Sequence, residues 1–209
     1  MVMKKLLCVI CLLAFIAAGH ADGGDVLLET NYGDIVIDLD YDAAPITVAN
    51  FEAYVNDDFY DGLVFHRVID DFMIQAGAYD ADLNYHAPTS APIVNESNNG
   101  LTNLQYTVAM ARGDASDSAT SQFYINHVYN SHLDYISPSD PGHCVFGEVV
   151  SGMDVVDVIA EVDTHYVNQS LKDVPDDPVI IGSATMIPEP ATIVLLGLGC
   201  LALVGKRRR

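Results

Sequence analysis

The chain has 209 residues, with 29 acidic side chains but only nine lysines and arginines, and a formal net charge of −20. Six of the nine basic residues lie in the terminal segments, so residues 22–190 combine three basic residues with all 29 acids, a net charge of −26. Such a surface repels nucleic acid and anionic lipid, which argues against DNA or RNA binding. We interpret the acids as a source of solubility rather than as a calcium site, because no DxDxDG spacing occurs among them.

The first 21 residues have the pattern of a secretory signal peptide. Lys4 and Lys5 precede an apolar run at 6–18, and Gly19-His20-Ala21 follows as a cleavage site. The run is short for a membrane span, so a cleaved signal is favoured over an uncleaved N-terminal anchor. We therefore expect an exported domain at 22–187.

Only one of the four cysteines, Cys144, falls in this exported domain. No internal disulfide can form from a single cysteine, so the core must provide the stability. We expect Cys144 to be a small core residue.

Short alternating segments indicate eight strands, and apolar spacing of three to four residues indicates helices at 45–55 and 152–162. Because strands and helices do not alternate, the pattern predicts an antiparallel barrel with helices at its ends. The polar stretch 79–103 is predicted to be a long loop. The eight strand segments are 26–30, 34–39, 63–69, 72–78, 106–111, 121–126, 144–150 and 178–186.

Three of the predicted strands each carry a long hydrogen-bonding side chain on an otherwise apolar face, since side chains alternate along a strand. If these faces adjoin, they form an apolar patch with one guanidinium and two amides, which suits a peptide groove. His66 falls on the opposite face from Arg67 and is expected to be a hydrogen-bonded core histidine. The three faces are Phe65, Arg67 and Ile69; Met73 and Gln75; and Gln122 and Tyr124.

Three blocks, FHRVIDDFMIQAG, AMARGDASDSATSQFYIN and HCVFGEVVSGMDVVD, resemble the signature sequences of cyclophilins, the peptidyl-prolyl cis–trans isomerases. The resemblance covers residues 25–186 and is closest to bacterial exported members. It implies a mainly β fold, a closed eight-stranded antiparallel β-barrel capped by two α-helices. It also implies a monomeric enzyme that speeds rotation about X–Pro bonds and so assists the folding of exported proteins.

The resemblance also implies roles for individual residues. Arg67 matches the catalytic arginine, and Gln75 is expected to orient it. His132 stands where eukaryotic members usually carry a tryptophan that helps to hold cyclosporin, which implies weak inhibition by that compound. The positions that match substrate-binding residues are Phe72, Met73, Gln75, Ala111, Arg112, Gln122, Tyr124, Leu133 and His143.

The alternative function is a non-catalytic module that binds proline-containing peptides at the cell surface or in extracellular polysaccharide. Retention of Arg67 favours the enzyme, because binding alone would not require that arginine. No cofactor is expected. No metal is expected either, because the histidines lack a recognised metal-ligand spacing.

The C-terminus combines Pro188-Glu189-Pro190, an apolar run at 191–205 and a cluster of four basic residues. The run reaches about 22 Å as a helix, short of a hydrocarbon core of about 30 Å. This order resembles a PEP-CTERM sorting signal, with a plain C-terminal anchor as the alternative. The resemblance implies exosortase processing near Pro188-Glu189-Pro190, with residues 188–209 as a transient membrane segment. The protein would then be periplasmic or at the cell surface, membrane-tethered or released into extracellular polysaccharide.

Overall fold

An antiparallel sheet of eight strands forms the body of the fold. The computed structural model describes residues 24–188, so the predictions for the signal peptide at 1–21 and the apolar run at 191–205 lie outside the described residues. Residues 25–187 form one compact unit. Between Gly24 and Pro188, no helix is long and apolar enough to cross a bilayer.

All eight predicted strands belong to this sheet. They are β1 (Gly24–Thr30), β2 (Gly33–Leu39), β3 (Arg67–Ile69), β4 (Met73–Ala76), β5 (Thr107–Met110), β6 (Phe123–Asn126), β7 (Val145–Ser151) and β10 (Ile181–Pro188). Their order across the sheet is β10-β1-β2-β7-β5-β6-β4-β3. Two further short strands, β8 (Thr164–His165) and β9 (Val174–Pro175), pair with each other outside it.

The two edges of the sheet meet where residues 62–65, just before β3, lie beside residues 179–181 at the start of β10. The Gly62 amide donates to the Ile181 carbonyl at 2.8 Å, and the Ile181 amide donates back to Leu63 at 2.8 Å. The Phe65 amide donates to the Val179 carbonyl at 2.9 Å. The prediction of a fully closed barrel is therefore slightly overstated. A few hydrogen bonds join the two edges of the sheet, where a closed barrel would have a full β3–β10 ladder.

The two predicted helices are confirmed with small changes at their ends. Helix α1 (Pro45–Asn56) begins at a proline, which is tolerated there because the first helical amides have no partner within the helix. Helix α2 (Met153–Ala160) follows Gly152, whose φ of 85° favours glycine. Both helices bury apolar side chains, including Phe51 in α1 and Ile159 in α2.

The main core lies between the sheet and the helices and is rich in aromatic rings. Phe51 contacts Phe123 edge-on, with ring centroids 5.2 Å apart, and contacts Phe146 at 5.1 Å. Cys144 is buried and free, as predicted, and burial raises the pKa of its thiol to about 11. Ile74 on β4 belongs to this core, so the alternate residues of β4 point to the other side of the sheet.

One predicted face is wrong. Phe65 belongs to the main core, whereas Arg67 lines a cleft on the other side of the sheet. Regular pairing of β3 begins only at Arg67, so the alternation of side chains cannot be extended back to Phe65 and His66.

Candidate active site

A cleft of about 500 Å³ lies over the faces of β3, β4 and β6 that are turned away from the main core. This volume is typical of ligand-binding clefts. The fold brings all ten residues that the sequence singles out into its lining, although their roles stay predictions. They are Arg67, Phe72, Met73, Gln75, Ala111, Arg112, Gln122, Tyr124, Leu133 and His143.

Strand register brings the polar side chains of the cleft together. Arg67 on β3 lies opposite Gln75 on β4, and Gln75 lies opposite Tyr124 on β6. The Gln75 amide Nε2 donates to Gln122 Oε1 at 2.9 Å. This bond holds the two side-chain amides in place. The carbonyl oxygen of Gln75 and the NH₂ group of Gln122 are not used in it and can bind a peptide backbone.

The side chain of Arg67 is fixed by two contacts. Its Nε lies 3.5 Å from Asp173 Oδ2, and its Cζ lies 5.8 Å from the centroid of the Phe72 ring. Sequence reasoning assigns the orienting role to Gln75, but the ion pair comes from Asp173, directly before β9. This partner could not be inferred from strand alternation, because it belongs to a distant loop.

Apolar side chains beside Arg67 form a second, smaller cluster. Met73 and Tyr124 are buried in it, and Phe72 and Leu133 pack against it while remaining partly exposed. Phe72 follows Asp71, whose φ of 53° turns the chain between β3 and β4. The exposed His132 ring stacks on Phe72, with centroids 5.6 Å apart and planes inclined by 23°. These side chains provide a slot of suitable chemistry for a proline ring.

The hydroxyl group of Tyr124 is satisfied within the protein. It donates to Asn103 Oδ1 at 2.8 Å, and Asn103 Nδ2 donates to Asp134 Oδ1 at 3.0 Å. Burial raises the pKa of Tyr124 well above 10, so the phenol stays neutral. Tyr124 can therefore present its ring as a pocket wall although it carries a hydroxyl group.

His143 and Arg112 complete the far side of the cleft. The His143 Nδ1–H donates to the Met110 carbonyl at 3.0 Å, and burial lowers the pKa of this histidine, which keeps it neutral at pH 7. Arg112 Nε donates to the Gly142 carbonyl at 2.9 Å. Gly142 has a φ of 60°, and a Cβ there would lie 2.5 Å from the Leu133 carbonyl oxygen, so only glycine fits.

His66 differs from its prediction. Its side chain is 3% exposed and lines the cleft beside Arg67, and its Nδ1 has no hydrogen-bond partner among the described residues. Its predicted place on the face opposite Arg67 is therefore wrong, whereas its predicted burial is confirmed. Burial lowers the pKa of His66 to about 4, so the ring is neutral at physiological pH.

Four further lining residues were not anticipated from the sequence. Tyr79 follows β4, while Gln169, Ser170 and Lys172 come from the loop between β8 and β9. That loop carries none of the strand alternation that identified the other residues. Only its position in the fold reveals that it borders the cleft.

One cluster outside the cleft has the chemistry of metal ligands. Ligand atoms of Asp70, Asp71 and His127 lie within 4.8 Å of one another. His127 Nδ1 already accepts the Asp71 amide hydrogen at 3.2 Å, and His127 Nε2 lies 3.5 Å from Asp157 Oδ1. These contacts account for both ring nitrogens within the protein.

Comparison with known families gives two matches. Residues 26–186 match the family of cyclophilin-type peptidyl-prolyl cis–trans isomerases, and residues 187–209 match the PEP-CTERM protein-sorting motif. The first match covers most of the chain, and the second covers the C-terminal segment that the sequence identifies as a sorting signal.

Similar proteins agree with the first match. The chain is 48% identical over 162 residues to peptidyl-prolyl cis-trans isomerase A of Dickeya dadantii, covering 78% of this chain and 84% of the relative. It is 49% identical over 163 residues to peptidyl-prolyl cis-trans isomerase B of Escherichia coli, covering 77% and 98%.

The fold also matches a solved structure, a cyclophilin-type isomerase from Cryptosporidium parvum, with a TM-score of 0.61 and 23% identity. The match covers 81% of this chain and all of that one, 100%. Fold, cleft and sequence matches agree, and the chain belongs to the cyclophilin-type peptidyl-prolyl cis–trans isomerase family.

Proposed function

We propose that this protein accelerates rotation about X–Pro bonds in exported proteins, with Arg67 as the catalytic group. The observation that carries the proposal is the position of the Arg67 guanidinium beside the apolar slot of Phe72, Met73, Tyr124 and Leu133. A proline ring in that slot would bring its imide nitrogen close to a fixed positive donor. Proline-containing peptide segments are therefore the substrates.

The chemistry requires no covalent step. Amide resonance sets a rotation barrier of about 18–20 kcal/mol, and twisting the bond returns a lone pair to the proline nitrogen. A guanidinium donor that reaches this nitrogen stabilises the twisted state more than either planar isomer. Arginine suits the task because it stays charged and presents several donors in a rigid plane.

The surrounding groups support this role. Asp173 engages the Nε edge of Arg67, which leaves the two terminal nitrogens for substrate. His66 and His143 are both neutral at pH 7, so neither competes with the guanidinium as a charged donor. Gln75 and Gln122 can bind the peptide backbone on either side of the proline.

Exchange spectroscopy by NMR on a short proline-containing peptide tests the proposal. Without a catalyst, cis–trans exchange has a time constant of about tens to hundreds of seconds. We expect a catalytic amount of protein to make the exchange much faster than that. Peptide binding without faster exchange would contradict the proposal and would instead support a non-catalytic binding module.

The proposal extends to where the protein acts. The PEP-CTERM match at 187–209 supports export and surface sorting, and we propose that residues 1–21 are removed as a signal peptide. We further propose exosortase processing near Pro188-Glu189-Pro190, which places a monomeric domain of residues 22–187 in the periplasm or at the cell surface. Mass spectrometry of the native protein tests this, and an intact mass that retains residues 191–209 would contradict the processing.

A further inference from the structure

The distribution of charge around the cleft is unlike that of the rest of the domain. Arg67, Arg112 and Lys172, the only basic residues between 22 and 190, all line the cleft. None of the 29 acidic residues does so among the residues that the structure describes. The described lining of the cleft is thus positive or neutral in a domain of net charge −26, and Asp173 lies beside it as the partner of Arg67.

Two of these three cations have no carboxylate partner in the part of the chain that the structure describes. Asp173 pairs with Arg67, but within residues 24–188 no ion pair joins Arg112 or Lys172 to an acid. Arg112 is held by the neutral carbonyls of Gly142 and Gly113. Its charge and that of Lys172 therefore remain available to an anionic group in the cleft.

We propose that Lys172, with support from Arg112, makes the cleft select proline-containing segments that carry an acidic side chain close to the proline. This inference rests on the proposed isomerase function and names its preferred substrate class. Lys172 is an exposed residue on the loop between β8 and β9, so its flexible side chain can follow a glutamate or aspartate along the bound peptide.

The acids elsewhere on the domain do not cancel this preference. Charges separated by more than about 10 Å are largely screened at 0.1 M salt, whereas a cation at the cleft acts on a bound carboxylate at contact distance. The acidic surface lowers the rate at which acidic peptides approach, and the cleft stabilises them once they are bound.

Peptides that differ in one residue test the proposal. In the first set of peptides, the residue before proline is Glu, Gln or Lys. In the second set, the residue after proline is varied in the same way. The exchange rate and the Kd are measured for each peptide. We expect Glu to exceed Gln in kcat/KM by about threefold to fivefold in one of the sets, the effect of a single exposed ion pair. The ratio of kcat/KM for the Glu peptide to that for the Gln peptide should fall toward one at 1 M salt, where the screening length is about 3 Å.

Variants assign the preference to one side chain. Lys172→Gln should lower the Glu-to-Gln ratio toward one, and Lys172→Glu should reverse it. Gln105→Glu, which changes the net charge by the same amount as Lys172→Gln but lies outside the cleft lining, should keep the wild-type ratio.

Equal rates for the Glu and Gln peptides, or an unchanged ratio in Lys172→Gln, would overturn the inference while leaving the isomerase function intact. Failure to accelerate any peptide would count against the isomerase function instead. In that case the ratio of Kd values for the Glu and Gln peptides still decides whether Lys172 selects acidic segments.

Discussion

Replacing Arg67 by alanine tests the central chemical proposal. The side chain supplies one preorganised, charge-assisted donor, and removing such a donor from an active site typically costs about 100-fold to 1,000-fold in rate. We therefore expect kcat/KM for a proline-containing peptide to fall by about that factor in Arg67→Ala. Arg67→Lys keeps the charge but loses the planar fork, and we expect it to lose at least about tenfold.

Arg67→Ala should leave the fold nearly unchanged. The Arg67 side chain is 41% exposed and its partner Asp173 is 34% exposed, so their ion pair contributes at most about 1 kcal/mol to the free energy of unfolding. The contact with the Phe72 ring adds about 0.5–1 kcal/mol at an exposed site. For a domain of this size, a total loss of about 0.5–2 kcal/mol lowers Tm by only about 1–8 °C.

NMR exchange spectroscopy gives the rate, and thermal unfolding followed by circular dichroism gives the stability. The two measurements separate catalysis from folding, because the expected rate loss is large and the expected Tm change is small. A variant that folds and retains full activity would refute the role of Arg67. A variant that unfolds at room temperature would show that the stability argument is wrong.

Three further predictions concern the groups around Arg67. Asp173→Asn should lower kcat/KM by about threefold to tenfold with a change of less than about 1 kcal/mol in unfolding free energy; unchanged kcat/KM would remove its positioning role. Tyr124→Phe should cost about 0.5–1.5 kcal/mol in urea unfolding, since the bond to Asn103 is lost, and should keep most of the activity because the ring remains. For His66, the folded-state pKa of about 4 lies below the unfolded value near 6.5, so its contribution to stability is complete above pH 6.5 and is lost as the pH falls toward 4. Between pH 7 and pH 4.5, urea unfolding should show a loss that is about 2–3 kcal/mol larger in the wild type than in His66→Gln, and an equal loss in both proteins would contradict the buried neutral state.

Much of the fold could be predicted from local patterns. The period of two in β4 predicts Met73 and Gln75 on one face and Ile74 on the other, and the structure confirms this. Such patterns are reliable where a strand is regularly paired, because the pleat forces neighbouring side chains to opposite sides. The prediction failed at Phe65 and His66, which lie just before the paired part of β3.

The sequence by itself determined the strand and helix segments, the groups available for chemistry, and the family, because all of these depend on residue order along short stretches of chain. Tertiary structure alone decided that Asp173 pairs with Arg67 and that Lys172 lies at the cleft. It also decided that His66 lines the cleft with no partner for its Nδ1 within residues 24–188. Asp173 and Lys172 lie about a hundred residues after Arg67 in the chain, and they reach the cleft only because the fold brings the loop between β8 and β9 beside β3. Local spacing along the chain cannot predict that approach, because it depends on how distant segments pack together.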